Sequence, residues 1–451
     1  MNFKEAILDV ANKFKKTTNP IRIVSNFDAD GITAAAILVK AMQRLNKSFS
    51  LSIIKQLTEN HLKELSAEDY KTIVIADMGS GSLSLIDKYL KGKTVFVLDH
   101  HQMENFENIG FNLLNPLMHG ISNYKEISAS GVCYLFAKAL NEENKDLAHL
   151  AIIGAIGDIQ EDNGFIGLNK EILEDAKEKI EVKKGLKMFG HQTKPLHKLL
   201  MFSTDPYIPG VSGNESGTLK FLSDLGINIR ADGKFRKLIN LGKEELKKLT
   251  SAIIIRRFEN EGENPEDVLG DIYLLKDEEE GSSIKDAREF ATLLNASGRL
   301  NKSYIGVGVC LNNNKMKTEA IEMLDSYKSE IVKYLNWFYD NKDNFDYGNF
   351  VLINAKDNIK DVFIGVIMSI ISRSNIYKEG TLLIGMAHGN NEIKISSRCS
   401  GKGNKNLNEL MLKLTSTVGG SAGGHYSAAG GFISLDKEEE FIKHTKKLLS
   451  A

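Results

Sequence analysis

Five short runs of β-branched and apolar residues punctuate the first 115 positions, with stretches of helical spacing between them. Ile21–Ser25, Ser50–Ile54, Thr72–Ala76, Thr94–Leu98 and Phe111–Leu114 read as strands; Ile32–Leu45, Leu62–Leu65 and Ser82–Leu90 read as helices. This βαβα rhythm leaves few architectures open. Parallel strands need crossovers, and helical crossovers cover both faces of a sheet, so the chain should be of the α/β class with a mostly parallel N-terminal sheet. Ligands of such sheets sit beyond the carboxyl ends of the strands. The residues that follow each run are therefore the ones to read for chemistry.

Three of the runs end in acid. Asn26-Phe27-Asp28-Ala29-Asp30-Gly31 follows the first; side chains two apart on an extended chain share a face, so Asp28 and Asp30 can aim at one site, and Gly31 permits the turn into the next helix. A helix cap by Asp30 would account for one acid only. Asp77 closes Thr72–Ala76 and precedes the polar Met78–Ser82, where a cap is an equally good reading. Thr94–Leu98 ends on Asp99-His100-His101, a carboxylate with two adjacent imidazoles, which is unusual as structure and natural as metal ligation. Asp158 ends the apolar helix Leu147–Ile159, where Gly154 and Gly157 allow close backbone approach; an ordinary polar helix end is the plain alternative. Five acids at one sheet edge would repel one another severely in a dry site. Divalent cations relieve that repulsion, and oxygen ligands with an imidazole suit Mn²⁺ or Mg²⁺. Two such ions about 3.5–4 Å apart, bridged by a carboxylate, bind phosphate and activate water. The pattern points to phosphoester hydrolysis.

Beyond a helix at Gly131–Asn141, the texture changes. From about Glu174 to Glu280 the chain is rich in lysine and glutamate and reads as a solvated surface with one strand, Asp271–Leu275; a docking face for a protein partner is the other reading. Arg230–Lys248, with seven basic and three acidic residues, reads as an exposed helix face. The rhythm resumes with a helix at Asp286–Leu294, the segment Asn295-Ala296-Ser297-Gly298-Arg299, a strand-like Tyr304–Leu311 and a long helix at Lys317–Trp337. Strand Phe350–Ile353, helix Asp361–Arg373 and strands Thr381–Met386 and Glu392–Ser397 follow, and six glycines fall within residues 419–431. The expected domains are a catalytic parallel-sheet domain at 1–190, an insert at 191–285, a connector at 286–345 and a smaller C-terminal α/β domain at 346–451.

Charge and cysteine content narrow the function classes. Fifty-eight basic side chains against 59 acidic ones leave a net charge of −1, so nucleic-acid binding has to come from a local groove and not a global field. Cys133, Cys310 and Cys399 form no C-x-x-C pair, which argues against a disulfide framework or zinc knuckle and fits a reducing cytoplasm. The longest apolar run, roughly 362–371, is too short to span a bilayer, and the N-terminus lacks the uninterrupted apolar core of a signal peptide. No membrane partner is expected.

The four acidic stretches, in order, resemble the motifs of the DHH phosphoesterase superfamily, named for a triplet such as Asp99-His100-His101. Gly423-Gly424-His425-Tyr426-Ser427-Ala428-Ala429-Gly430 is similar to the GGHxxAAG signature of its associated C-terminal domain, and Asn295–Arg299 to the NAxGR segment of the RecJ branch. With the Asp205–Gly210 loop and the insert, the chain looks most like archaeal RecJ-like exonucleases. The resemblance implies that Asp28 serves one metal, that Asp30, His100 and Asp158 serve a second, and that Asp77 bridges them. It places His101 beside the scissile phosphate and Asp99 with it. Arg398, His425 and the amides of Gly423 and Gly424 would grip nucleotide phosphates, as glycine amides and a guanidinium fork can, and Arg299 would hold another. The family's first motif usually reads HxDxDG; here Asn26 takes the histidine position, and an amide oxygen is a weaker ligand for Mn²⁺.

The leading expectation is a two-metal exonuclease on single-stranded DNA or RNA, admitting one strand between catalytic and C-terminal domains and releasing nucleoside monophosphates. One alternative is a phosphoesterase of short oligonucleotides or nucleotide bisphosphates. Another, non-enzymatic, is a replisome scaffold: the resemblance extends to a degenerate RecJ relative in the eukaryotic replicative helicase and to archaeal proteins that bind the GINS complex.

Overall fold

The computed structural model describes residues 2–17, 20–107, 109–203, 206–258, 265–374, 376–401, 403, 405–424 and 426–449. The chain forms two units, residues 1–324 and 325–451. The first begins with α1 (Phe3–Lys15), β1 (Ile21–Asn26), α2 (Ala29–Arg44), β2 (Phe49–Ile54), α3 (Glu59–Ala67), β3 (Thr72–Ala76), α4 (Leu83–Tyr89), β4 (Thr94–Leu98) and β5 (Asn112–Leu114). The five strands form one parallel sheet in the order β2-β1-β3-β4-β5. β1, β3 and β4, whose ends carry the acids, are thus adjacent.

Helices α5 (Ala129–Leu140), α6 (Ala148–Gly157) and α7 (Gly167–Asp175) follow. α2 packs against the sheet as well as α5 and α6, and 13 of its 16 residues are buried. A helix enclosed on nearly all sides needs apolar residues all round, which the run Ile32–Val39 supplies.

The stretch from Glu174 to Glu280 differs from expectation. It contains β6 (Ile180–Leu186), α8 (Leu196–Met201), α9 (Glu215–Asp224), β7 (Arg230–Ala231), β8 (Lys234–Phe235), α10 (Lys243–Phe258) and β9 (Leu269–Leu275). β6 pairs antiparallel with β9. Leu196, Leu199, Leu200, Phe221, Leu222, Leu249 and Ile253 belong to a buried core of its own, so this is not merely a solvated surface. The first part of Arg230–Lys248 is not helical: β7 and β8 make a hairpin whose turn residues Asp232 and Gly233 both have positive φ, as a two-residue hairpin turn demands.

Another correction concerns Tyr304–Leu311. After α11 (Ala287–Arg299), this run is helix α12 (Ser303–Cys310), not a strand, and α13 (Asn314–Asn341) follows. Ile305, Val307 and Val309 alternate with Gly306 and Gly308 and so imitate strand periodicity. A Cβ on Gly306 would lie 2.5 Å from the Ser297 Oγ, so the glycine serves close helix packing.

In the second unit, β10 (Phe350–Asn354), α14 (Asp361–Ser372), β11 (Leu382–His388), β12 (Glu392–Cys399), α15 (Leu407–Ser416), β13 (Ser421–Gly424), β14 (Ala428–Ser434) and α16 (Glu438–Leu449) build a sheet of order β10-β11-β12-β14-β13. Only β10 and β11 are parallel. Its core includes Phe350, Ile384, Ile395, Met411, Leu414 and Phe441. Among the described residues, no helix is long and apolar enough to cross a membrane.

Candidate metal centre

The carboxyl ends of β1, β3 and β4 bring most of the sequence-selected acids and both histidines together. His100 Nε2 lies 3.2 Å from Asp158 Oδ2, 4.0 Å from Asp30 Oδ2 and 3.9 Å from Asp77 Oδ1. Two groups are close enough to hold a cation, Asp30–His100–Asp158 and Asp77–His100–His101, each with its candidate atoms within 4.8 Å of one another, although His101 Nδ1 is engaged by Asp99.

Each side chain is fixed from behind. Asp30, 1% exposed, accepts from the Ala129 amide (2.7 Å) and the Ser130 amide (3.0 Å) at the N-terminus of α5, where the helix dipole favours an anion. Close approach of α6 helps: a Cβ on Gly154 would stand 2.5 Å from Asp30 Oδ1. The capping role falls to Asp28, whose Oδ1 accepts from the Gly31 amide at 3.0 Å, and not to Asp30.

His100 Nδ1 sits 3.0 Å from the Asn123 carbonyl. A carbonyl only accepts, so Nδ1 carries the proton and Nε2 presents its lone pair to the acids. Burial and the neighbouring His101 charge hold His100 below its ordinary pKa, which favours the neutral, ligating ring. Gln160 Nε2 donates to the same Asn123 carbonyl (3.0 Å) and accepts at Oε1 from Asn169 (2.7 Å). The sequence reading misses Asn123, Gln160 and Asn169; an amide supporting a ligand from behind carries no local spacing signal.

Asp99 plays a different part. It is fully buried; Oδ2 accepts from the Ser80 amide at 2.9 Å, and Oδ1 accepts from the His100 amide (2.8 Å), the His101 amide (3.2 Å) and His101 Nδ1 (2.8 Å). Burial works against the carboxylate, but the charge and hydrogen bond of His101 prevail and hold Asp99 well below the usual carboxylate range. Reciprocally, burial opposes the His101 charge, yet Asp99, with Asp158 and Asp28, raises its pKa to about 10. His101 is thus a half-exposed imidazolium whose Nδ1 is committed to Asp99.

Asp77 tests whether a cation fits. It is 1% exposed, it stands in the left-handed region at φ +56°, and neither carboxylate oxygen has a hydrogen-bond partner, the nearest imidazole nitrogens lying 3.8 and 3.9 Å from Oδ1. Burial, then Asp28, Asp30, Asp158 and Asp99, push its pKa well above the usual range, and burial with Asp30 and Asp28 does the same to Asp158. Bare buried carboxylate oxygens beside a neutral imidazole are the donor set of a hard divalent cation.

The remaining sequence-selected residues are placed otherwise. Asn26 Oδ1 accepts from the Phe27 amide (2.7 Å) and Nδ2 donates to the Asp77 carbonyl (3.4 Å), so Asn26 ties two strand ends together. Arg299 ends α11. In the second unit, the Arg398 Nε donates to Ser369 Oγ (3.0 Å) and Nη1 to the Ser397 carbonyl (2.7 Å), while Gly423 and Gly424 lie on β13. His425 lies outside the described residues, as does Asp205 of the Asp205–Gly210 loop.

A parallel sheet with acids and imidazoles converging beyond three adjacent strand ends defines an α/β protein equipped to bind divalent metal. Residues 20–155 match the DHH family, N-terminal domain; residues 188–268 match the DHH-CID domain; residues 348–451 match the DHHA1 domain. An uncharacterized protein of Methanocaldococcus jannaschii is 31% identical over 443 residues, covering 95% of this chain and 93% of that one. The chain belongs to the DHH family and has a RecJ-like fold. RecJ from Thermus thermophilus, in complex with Mn²⁺, superposes with a TM-score of 0.62 at 16% identity over 99% of this chain and 54% of that one, so the chain spans about half its length. CDC45 from Entamoeba histolytica gives a TM-score of 0.67 at 13% identity, with both chains covered fully.

Proposed function

We propose that this protein is a divalent-metal-dependent exonuclease that hydrolyses phosphodiesters of single-stranded DNA or RNA from an end and releases nucleoside monophosphates. The observation that carries the reading is Asp77: a fully buried carboxylate with both oxygens bare, set among Asp30, His100 and Asp158. Asp30, His100 and Asp158 would hold one Mn²⁺ or Mg²⁺, Asp28 would serve a second, and Asp77 would bridge them. When bound, the ions supply Lewis-acid chemistry, neutralising phosphate charge and acidifying water. The chain's own part is to orient and donate. His101, charged and anchored by Asp99, faces the substrate phosphate as a hydrogen-bond donor and stabilises charge that develops there. Arg299, Arg398, His425 and the Gly423 and Gly424 amides bind further phosphates. Asn26, its oxygen engaged by Phe27, is at most a weak metal ligand.

The test is a time course on end-labelled single-stranded DNA and RNA, two, five and twenty nucleotides long, with Mn²⁺ or Mg²⁺. Mononucleotide release from one end, favouring the longer substrates and abolished in Asp77→Ala, is expected. Preference for the dinucleotide would instead make the protein a short-oligonucleotide phosphoesterase. Absence of cleavage with either metal would sink both.

A second reading, compatible with the first, is docking to a replication partner such as the GINS complex. α10 favours it by exposing Ile255 (59%) and Phe258 (77%) on an insert with its own core. Pulldown of GINS subunits by the wild type and by Phe258→Asp tests it; equal recovery would count against this surface.

A further inference from the structure

We propose that Asn295 is a positioning residue of the metal centre: through the backbone of Ala29 it holds the loop that presents Asp28 and Asp30. The inference rests on the metal-binding reading above and adds a residue to it.

The first amides of a helix have no partner within the helix. In α2, the Gly31 amide is taken by Asp28 itself, and the Ala29 amide donates to Asn295 Oδ1 at 3.0 Å, from a position 266 residues away. Ala29 stands between the two acids, so this one bond sets the path of both. One turn further along α11, Gly298 lies against the same loop: a Cβ there would stand 1.7 Å from the Phe27 carbonyl oxygen and 2.8 Å from its carbon. Residues three apart share a helix face. Asn295 and Gly298 thus form one surface of α11, flat against Phe27–Ala29, with the amide side chain as the catch and the missing Cβ as the clearance.

α11 is itself held at its other end. Asp286 caps it by accepting from the Arg288 and Glu289 amides, and Arg288 Nε bonds Glu161 Oε1 at 2.8 Å, three residues after Asp158. Glu289 accepts from the Gln192 amide at 2.9 Å. The helix therefore spans from the segment behind Asp158 to the loop carrying Asp28 and Asp30, and fixes these ligands relative to each other. The Asn-Ala-Ser-Gly part of Asn295–Arg299 thereby has a role distinct from that of its arginine.

The test measures Mn²⁺ affinity of the full chain by calorimetric titration, with the metal alone as probe. Removing a partner behind a ligand costs about 10–100-fold in metal affinity, and Asn295→Ala is expected to lose that much while its metal-free melting temperature and circular dichroism stay those of the wild type. Asn295→Asp keeps an acceptor for the Ala29 amide and should stay within about threefold of wild type, since Asp and Asn serve helix starts equally. Wild-type affinity in Asn295→Ala overturns the inference. So does a loss that Asn295→Asp fails to restore, or one accompanied by lower metal-free stability, because either marks a merely structural role. Failure of the unaltered protein to bind Mn²⁺ would remove the metal-centre reading itself, and is seen before any variant is compared.

Discussion

Asp99 keeps both oxygens engaged with Ser80, His100 and His101, so its charge acts through His101 and not on a cation directly. The consequence is a pH profile. His101 has its pKa raised to about 10 by Asp99, Asp158 and Asp28 against the effect of burial, so the imidazolium persists throughout the neutral and mildly alkaline range and is lost only as pH rises through that value. In Asp99→Asn the largest favourable contribution is gone, and the ring should titrate nearer its ordinary value of about 6.5. Followed by NMR titration of the metal-free protein, the His101 ring is then expected to stay protonated from about pH 6 to 9 in the wild type and to lose its proton near neutrality in the variant. Parallel profiles would remove His101 from the role of charged donor.

The end of α6 shows how an element is shaped to serve the site. The Gln160 amide donates to the Ala155 carbonyl and the Ile159 amide to that of Ile156, both at 3.0 Å, which closes the helix in a Schellman arrangement. The left-handed residue of that arrangement is usually glycine; here it is Ile159 at φ +59°, with its side chain 60% exposed. A left-handed L-residue costs about 1–2 kcal/mol, so Ile159→Gly should gain about 1 kcal/mol after glycine's own entropic cost, or roughly 1–2 °C in a unit of this size. Thermal unfolding in EDTA measures it, and a lower melting temperature would mean the Ile159 side chain makes a contact worth more than the strain. Strained turns of this kind are not written in apolar periodicity, and they mark the limit of what the sequence tells. Thr72–Ala76 and Thr94–Leu98 are readable to the residue because a buried parallel strand is a continuous β-branched run. α12 is not, because glycines that serve close packing simulate alternation. The core of the insert stays hidden because its leucines are diluted by lysine and glutamate. The acids at the strand ends are legible through strand topology; Asn123, Gln160 and Asn295 are not, because each acts through a backbone group distant in sequence.

At the scale of the molecule, every candidate metal ligand falls between Asn26 and Asp158, within the unit of residues 1–324, whereas residues 325–451 have a core of their own. A ligand that binds only folded protein stabilises the unit whose folding creates its site. Without metal, that unit carries Asp77 with both oxygens buried and bare, an arrangement that costs free energy until a cation meets it. Mn²⁺ at a hundredfold excess over its Kd should contribute about 2.7 kcal/mol to the first unit and nothing to the second. In scanning calorimetry, the transition of residues 1–324 is expected to rise by roughly 4 °C on adding Mn²⁺, at about 1.5 °C per kcal/mol for a unit of that length, while that of residues 325–451 stays in place. Asp77→Asn replaces the ionisable carboxyl with a permanently neutral group of the same shape. It should leave the metal-free transition where it is or move it upward, and it should abolish most of the Mn²⁺ shift. A variant that melts lower without metal and still responds fully to Mn²⁺ would mean that Asp77 is a structural acid and that the cation is held elsewhere.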